Sequence, residues 1–224
     1  DVAPSRGLGD VYKRQVLDGV YKRTGKINIV SAGRTEGITL NIGFDNSEAY
    51  SAWKAKKLNS ITLPSISGGT VSGLMSSINW FFTDSHEDFA IFQIVVKNDS
   101  KDGTYYPQYI NRITLDSNGE YALCYQARTE TLLINDTPTE TSLPEGYGVA
   151  PFLYVHRVLD FIFSEFGYTI TENPFKTDKE LSSLVILNNA ADCCVTGILN
   201  YADLMPDCTI EDFLNALYVR FGLV

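Results

Sequence analysis

An internal repeat constrains the fold of this chain more than any other feature. Residues Val155 to Phe166 and Ile210 to Phe221 both read as amphipathic helices that run into Phe-Gly and then into an apolar segment. Leu159 aligns with Leu214, Ile162 with Leu217, Phe163 with Tyr218, and Phe166-Gly167 with Phe221-Gly222, all at an offset of 55 residues. In each copy the apolar residues recur at helical spacing and make one wide stripe. A helix with such a stripe must bury it against another element. Two copies of the same stripe are therefore expected to pack in equivalent surroundings. Pro151 suits the first turn of the first helix. Gly167 suits its left-handed C-terminal cap. Thr209 and Asp212 mark the start of the second helix.

The first half is patterned for strands. Ile27 and Ile29 alternate with polar neighbours, and Ile38, Leu40, Ile42 and Phe44 alternate strictly. Gly33 and Gly37 bracket their connection, which predicts a hairpin. Asp45 and Glu48 suggest a capping box for a short helix through Trp53 to Lys57. Pro64 to Gly69 reads as a loop. Val71, Leu74, Met75 and Ile78 predict a second short helix. The run Phe89 to Val96 predicts one buried strand. Tyr109 to Leu115, Glu120 to Gln126 and Thr131 to Asn135 predict three more, with a tight turn at Asn118-Gly119. Residues 136–148, rich in Pro, Thr and Gly, read as a linker or a long exposed loop. Tyr168 to Thr171 is expected to begin a strand, and Leu184 to Leu187 forms another apolar run. The expected class is α+β: a β-rich domain over 16–135 with short helices, then a helix-strand repeat module over 149–224.

Residues 1–15, DVAPSRGLGDVYKRQ, resemble a translated sequencing adapter and are set aside from the fold. The chain reads as a fragment of a larger protein. Its net charge of −9 argues against a phosphate-backbone binder, which needs clustered Lys and Arg. The group Lys54, Lys56 and Lys57 reads as a solvated helix face. No stretch reaches the length of a membrane span. The four cysteines, Cys124, Cys193, Cys194 and Cys208, fit neither a zinc pattern nor a disulfide framework and read as small buried thiols. No cofactor is expected.

Candidates for chemistry are few. His156 and Asp160 lie one helical turn apart, a spacing that can orient an imidazole as a base. His86 sits among Asp84, Glu87 and Asp88, where a metal is conceivable, although an acidic solvated loop is the plainer reading. Asp203 and Asp207 can be compared with the carboxylate pair of a glycosidase. They precede a helix, however, where acidic residues are favoured electrostatically. No nucleophile elbow, Walker loop, zinc-protease helix or dinucleotide fingerprint is present. No catalytic, cofactor-binding or metal residue is assigned. The residues expected to carry packing or assembly are Leu159, Ile162, Phe163, Phe166, Phe213, Leu214, Leu217, Tyr218 and Phe221.

The segments GYGVAPFLYVHRVLDFIFSEFGYTI, LVILNN and INYADLMPDCTIEDFLNALYVRFGLV carry a resemblance. They are similar to structural proteins of tailed phages and prophages of Bacteroidetes-type gut bacteria, in which a helix of this pattern leads into a β-strand. The matching residues are Leu204, Pro206, Asp207, Thr209, Phe213, Leu214, Leu217, Phe221 and Leu223. Such units are also similar to those of baseplate hub proteins, whose duplicated β-barrel modules form a ring. The resemblance implies a virion tail or baseplate protein, assembled in the host cytoplasm. It implies no catalysis. Its partners would be its own copies in a ring and other tail proteins. An acidic channel would let DNA slide without sticking. Two other classes stay open. One is a cell-surface or glycan-binding module using Trp53, Trp80 and tyrosines. The other is a hydrolase using Asp203, Asp207 or His156.

Overall fold

The glycines that bracket the first alternating runs turn the chain back on itself. The computed structural model describes residues 11–17, 21–33, 37–44, 54–78, 86–96, 108–134 and 137–221. Within it, β2 (Tyr21–Gly33) and β3 (Gly37–Phe44) form the expected antiparallel hairpin, with Gly33 opposite Gly37. β1 (Val11–Leu17) pairs along the other edge of β2. Val11 to Gln15, within the segment set aside, thus pair with β2.

The helix expected from Asp45 to Lys57 lies mostly outside the described residues. Its described end corrects one boundary. Lys57 is extended, at φ −72 and ψ 143, because its neighbours exchange backbone bonds with a distant segment. Ile210 N donates to Lys56 O at 3.0 Å and Leu58 N donates to Cys208 O at 2.9 Å. The expected loop at Pro64 to Gly69 contains β4 (Ser65–Ser67), which pairs with β13 (Ile198–Asn200). α1 (Val71–Ile78) forms as its spacing predicts, with Val71, Leu74, Met75 and Ile78 buried.

The apolar run from Phe89 to Val96 breaks into two strands. β5 (Phe89–Ala90) pairs with β12 (Phe152–Leu153), and β6 (Ile94–Val95) pairs with β7 (Tyr109–Ile110). Phe92 and Gln93 are exposed between them. Asn111 makes this change of partner possible. It is fully buried, and its φ of 55 is the one positive value at a non-glycine among the described residues. Asparagine tolerates that conformation better than most residues. Its Nδ2 donates to Phe92 O at 3.1 Å and to Ala150 O at 2.8 Å, and its Oδ1 accepts from Ala150 N at 2.8 Å. The same kink divides the expected Tyr109 to Leu115 strand into β7 and β8 (Ile113–Leu115).

β8 pairs with β9 (Tyr121–Leu123) around Asn118-Gly119, where Gly119 takes φ 80. Asp116 closes this turn, its Oδ1 accepting from the backbone N–H of Asn118 and of Glu120. β10 (Arg128–Ile134) pairs with β11 (Thr137–Leu143) over seven residues each. Much of the expected 136–148 linker is therefore strand, and Pro144 to Gly148 forms the turn that follows.

The repeat helices are α2 (Val155–Glu165) and α4 (Ile210–Phe221). A single turn, α3 (Pro174–Thr177), lies between them and is capped by Asn173 Oδ1, which accepts from Phe175 N at 3.1 Å. No strand forms at Tyr168 to Thr171, where the chain runs irregularly into that cap. Pro151 precedes α2 by four residues rather than sitting in its first turn. Leu153, which follows it, is held instead by β-pairing with Phe89. One cluster of buried side chains joins Leu58, α1, Phe89, Ile110, Phe152, α2, Leu199, Tyr201 and α4. Its members come from both sides of the 136–148 stretch. Each large side chain so buried contributes about 1.5–3 kcal/mol. The fold is α+β, with several small antiparallel sheets around helices.

Candidate functional site

The repeat seen in the sequence extends to the way each helix is seated. Tyr154, just before α2, makes an isolated antiparallel bridge with Val185, and Thr209, just before α4, makes the same bridge with Lys57. Val155 N donates to Leu184 O at 2.9 Å, and Ile186 N donates to Leu153 O at 2.8 Å. The bonds of Ile210 and Leu58 reproduce this pattern at an offset of 55. Val155, Val158 and Ile162 are buried on α2, and their counterparts Ile210, Phe213 and Leu217 are buried on α4. Local signals set the two ends. Gly167, at φ 75, completes a Schellman motif in which Gly167 N donates to Ser164 O and Tyr168 N to Phe163 O. Thr209 Oγ1 accepts from Asp212 N at 3.1 Å, and Asp212 Oδ2 accepts in return from Thr209 N at 3.3 Å.

The nine packing candidates divide by depth. Leu159, Ile162, Phe213 and Leu217 are buried, and Phe163, Phe166 and Leu214 are partly buried against the same cluster. Tyr218 is 56% exposed and Phe221 36%. Among the described residues a strap, Lys56 to Thr62, reaches the end of α2, while Phe221 at the end of α4 packs edge-on against Phe175. Lys56 Nζ donates to Glu165 Oε1 and lies 5.8 Å from the centre of the Phe166 ring. Thr62 N donates to Glu165 Oε2 at 2.8 Å. Lys57 reaches the other way, to Asp207 Oδ1 at 2.7 Å. The lysines expected to form a solvated helix face therefore join the end of α2 to the start of α4.

The bond from Lys56, helped by the N–H of Thr62, holds the Glu165 carboxyl at about 2. A depressed carboxyl stabilises the fold fully above its ordinary value of 4.5, and that contribution is lost as pH falls toward 2. Glu165→Gln is expected to flatten the fall of melting temperature across this window. An unchanged slope would show that the pair does not couple to folding.

A polar network crosses the core beside α2. Asp88 is 8% exposed. It accepts from Arg157 Nε at 2.5 Å and from Tyr201 Oη at 2.9 Å. Arg157 Nη1 also reaches Asp160 Oδ2 at 3.5 Å. Burial works against the Arg157 charge, but the Asp88 bond and its charge outweigh that and raise the pKa. Burial and the same carboxylate push the Tyr201 hydroxyl up. Asp88 is thus no member of a solvated acidic loop. The flanking His86 accepts the Asp88 N–H through Nδ1 at 3.1 Å and stacks on Phe89 at 3.9 Å. Among the described residues no three His, Cys, Asp or Glu side chains are placed to hold a metal.

A cleft of about 430 Å³ opens over this network, lined by His86, Tyr154, His156, Arg157, Lys176 and Ser182, with other residues at its rim. Burial lowers the pKa of both histidines and favours their neutral forms. His156 stacks on Tyr154, and among the described residues its Nδ1 has no hydrogen-bond partner. The bond that Asp160 accepts comes from Arg157, not from His156, so the helical His-Asp pair is not assembled as a base and its orienter. Ser182 Oγ donates to Lys179 O at 3.2 Å. Asp203 and Asp207 have different partners. Asp203 lies 3.5 Å from Asn200 Nδ2, while Asp207 pairs with Lys57. Trp53 and Trp80 lie outside the described residues. Cys193 and Cys194 are buried, with their sulfurs 3.8 Å apart, and the Cys194 neighbour and burial push the Cys193 thiol up.

Sequence reasoning missed Tyr201, Arg157 and Asn111, whose roles depend on partners tens of residues away. The strap was visible only through two lysines, Lys56 and Lys57. Comparison of the chain with protein-family models, with curated proteins and with solved structures finds no match.

Proposed function

We propose that this chain is a structural component of a phage or prophage tail or baseplate and acts through subunit assembly rather than catalysis. The resemblance of its last third supports this reading. The observation that carries it is the apolar surface on the last turns of α4, where Tyr218 is 56% and Val219 81% exposed. A repeated unit whose second copy keeps an apolar end exposed is suited to stacking on a neighbour, as units in repeat proteins do. Ring closure would follow from a heterologous contact whose rotation closes.

The test is the mass of the full chain in solution by light scattering, with negative-stain images of the same sample. Closed trimers or hexamers with a central hole are expected. A monomer at high concentration would count against assembly and move a surface-binding module to first place.

A further inference from the structure

The two repeat helices differ in charge at their starts. Glu211 and Asp212 stand in the first turn of α4, where carboxylates suit the positive end of the helix dipole. At the offset of 55 their places on α2 are held by His156 and Arg157. The first turn of α2 carries no acidic residue, and Tyr154 before it supplies no side-chain cap. Both residues border the cleft of about 430 Å³ over the Asp88 network, a volume within the usual range of small-molecule sites. Nitrogen side chains enter this cleft from three segments. His86 precedes β5, His156 and Arg157 lie on α2, and Lys176 lies on α3. Both histidines of the chain are therefore here. Arg157 commits Nε to Asp88 and Nη1 to Asp160, and among the described residues its Nη2 has only Glu87, at 3.9 Å. Lys176 makes no ion pair among the described residues. Glu87 is the one carboxylate in the lining, and its side chain is 80% exposed, free to turn into solvent.

We propose that this cleft binds an oxyanion of the phosphate type between Arg157, Lys176 and the start of α2. The anion takes the place at the helix end that Glu211 and Asp212 fill on α4. Arg157 is already held by Asp88 and by the Phe161 ring, 5.4 Å from its guanidinium carbon, so its Nη2 is presented with little further ordering. Lys176 adds a compact point charge. The histidines report the same event. Facing His86 are Asp88, Glu87 and Arg157, and facing His156 are Asp160, Asp88, Arg157 and Lys176. Burial holds both rings below their ordinary pKa, and a bound dianion favours their charged forms and moves both values up. The site is independent of the assembly reading.

The two histidine ring signals make the site readable by NMR on the full chain, since no other histidine contributes. Sodium sulfate, whose charge is constant near neutral pH, is the first probe, with sodium chloride at equal ionic strength as the reference. Both rings are expected to shift saturably in sulfate and to titrate at higher pH there than in chloride. Lys176→Gln is expected to weaken the binding at least about ten-fold, the scale of losing a hydrogen bond to a charged group. Lys176 is exposed, so an unchanged melting temperature in chloride serves as the folding control. Inorganic phosphate and glycerol 3-phosphate then distinguish the sources of the anion. Tighter binding of the ester assigns the cleft to a phosphorylated molecule, and equal or weaker binding assigns it to the free anion. Ring shifts no larger in sulfate than in chloride, or binding that Lys176→Gln leaves unchanged, overturn the proposal.

Discussion

Asp88→Ala is expected to destabilise the fold by about 3 kcal/mol or more, the usual cost of breaking a buried charge pair from one side. For a chain of this size that corresponds to a fall in melting temperature of roughly 6–12 °C. Asp88 receives Arg157 and Tyr201 at once and is itself buried. Without it the guanidinium keeps, among the described residues, Asp160 and a distant Glu87 at 3.9 Å, and the Tyr201 hydroxyl loses the Asp88 acceptor. Tyr201→Phe should cost only about 1 kcal/mol, since it removes one hydrogen bond and leaves the ring packed. Adding Arg157→Leu to Asp88→Ala should cost less than the two single changes summed, because the second removes the stranded charge. Urea unfolding of the wild type and the four variants measures each value. A loss under about 1 kcal/mol for Asp88→Ala would show that the network is not a structural pair of the kind described.

Asn111→Ala is the second large effect, at about 3–4 kcal/mol. It strips the acceptor from Ala150 N and the donors from Ala150 O and Phe92 O, and unpaired buried groups of this kind cost about 1–3 kcal/mol each before relaxation. It also leaves a Cβ-bearing residue at φ 55 without the local bonds that make asparagine tolerable there. Asn111→Gly separates the two causes. It removes the backbone penalty and keeps the hydrogen-bond loss, so it should recover about 1 kcal/mol relative to alanine. Equal stability of the two variants would mean that backbone conformation contributes nothing at this site.

Local rules made part of this fold readable. The stripes of α1, α2 and α4, the Gly167 cap, the Thr209–Asp212 box and the Gly33–Gly37 hairpin all depend on residues within a turn of one another. The failures share another cause. Phe89 to Val96 is apolar but for Gln93, so its composition suggests one strand. The break is set by Asn111, nineteen residues later. The Pro- and Thr-rich stretch after Asp136 looks like a linker until β10 is present to pair with it. The lysines before Leu58 look like a solvated face because their partners, Glu165 and Asp207, lie 109 and 150 residues away. The candidate site was legible as two apolar stripes. That a strap reaches the end of the first stripe was not legible, because it comes from about a hundred residues earlier in the chain.

The strap also sets an order in time. Its bond from Lys57 to Asp207 spans 150 residues, and a ribosome adding about 5–20 residues per second takes roughly 8–30 s to cross that interval. Throughout it, the strap's bridging backbone groups at Lys56 and Leu58 have no α4 to bond. Contacts of this sequence separation also slow folding, since the loop must close before they contribute. α4 therefore completes a seat that was laid down well before it, and the strap's bridging groups wait for α4 to emerge.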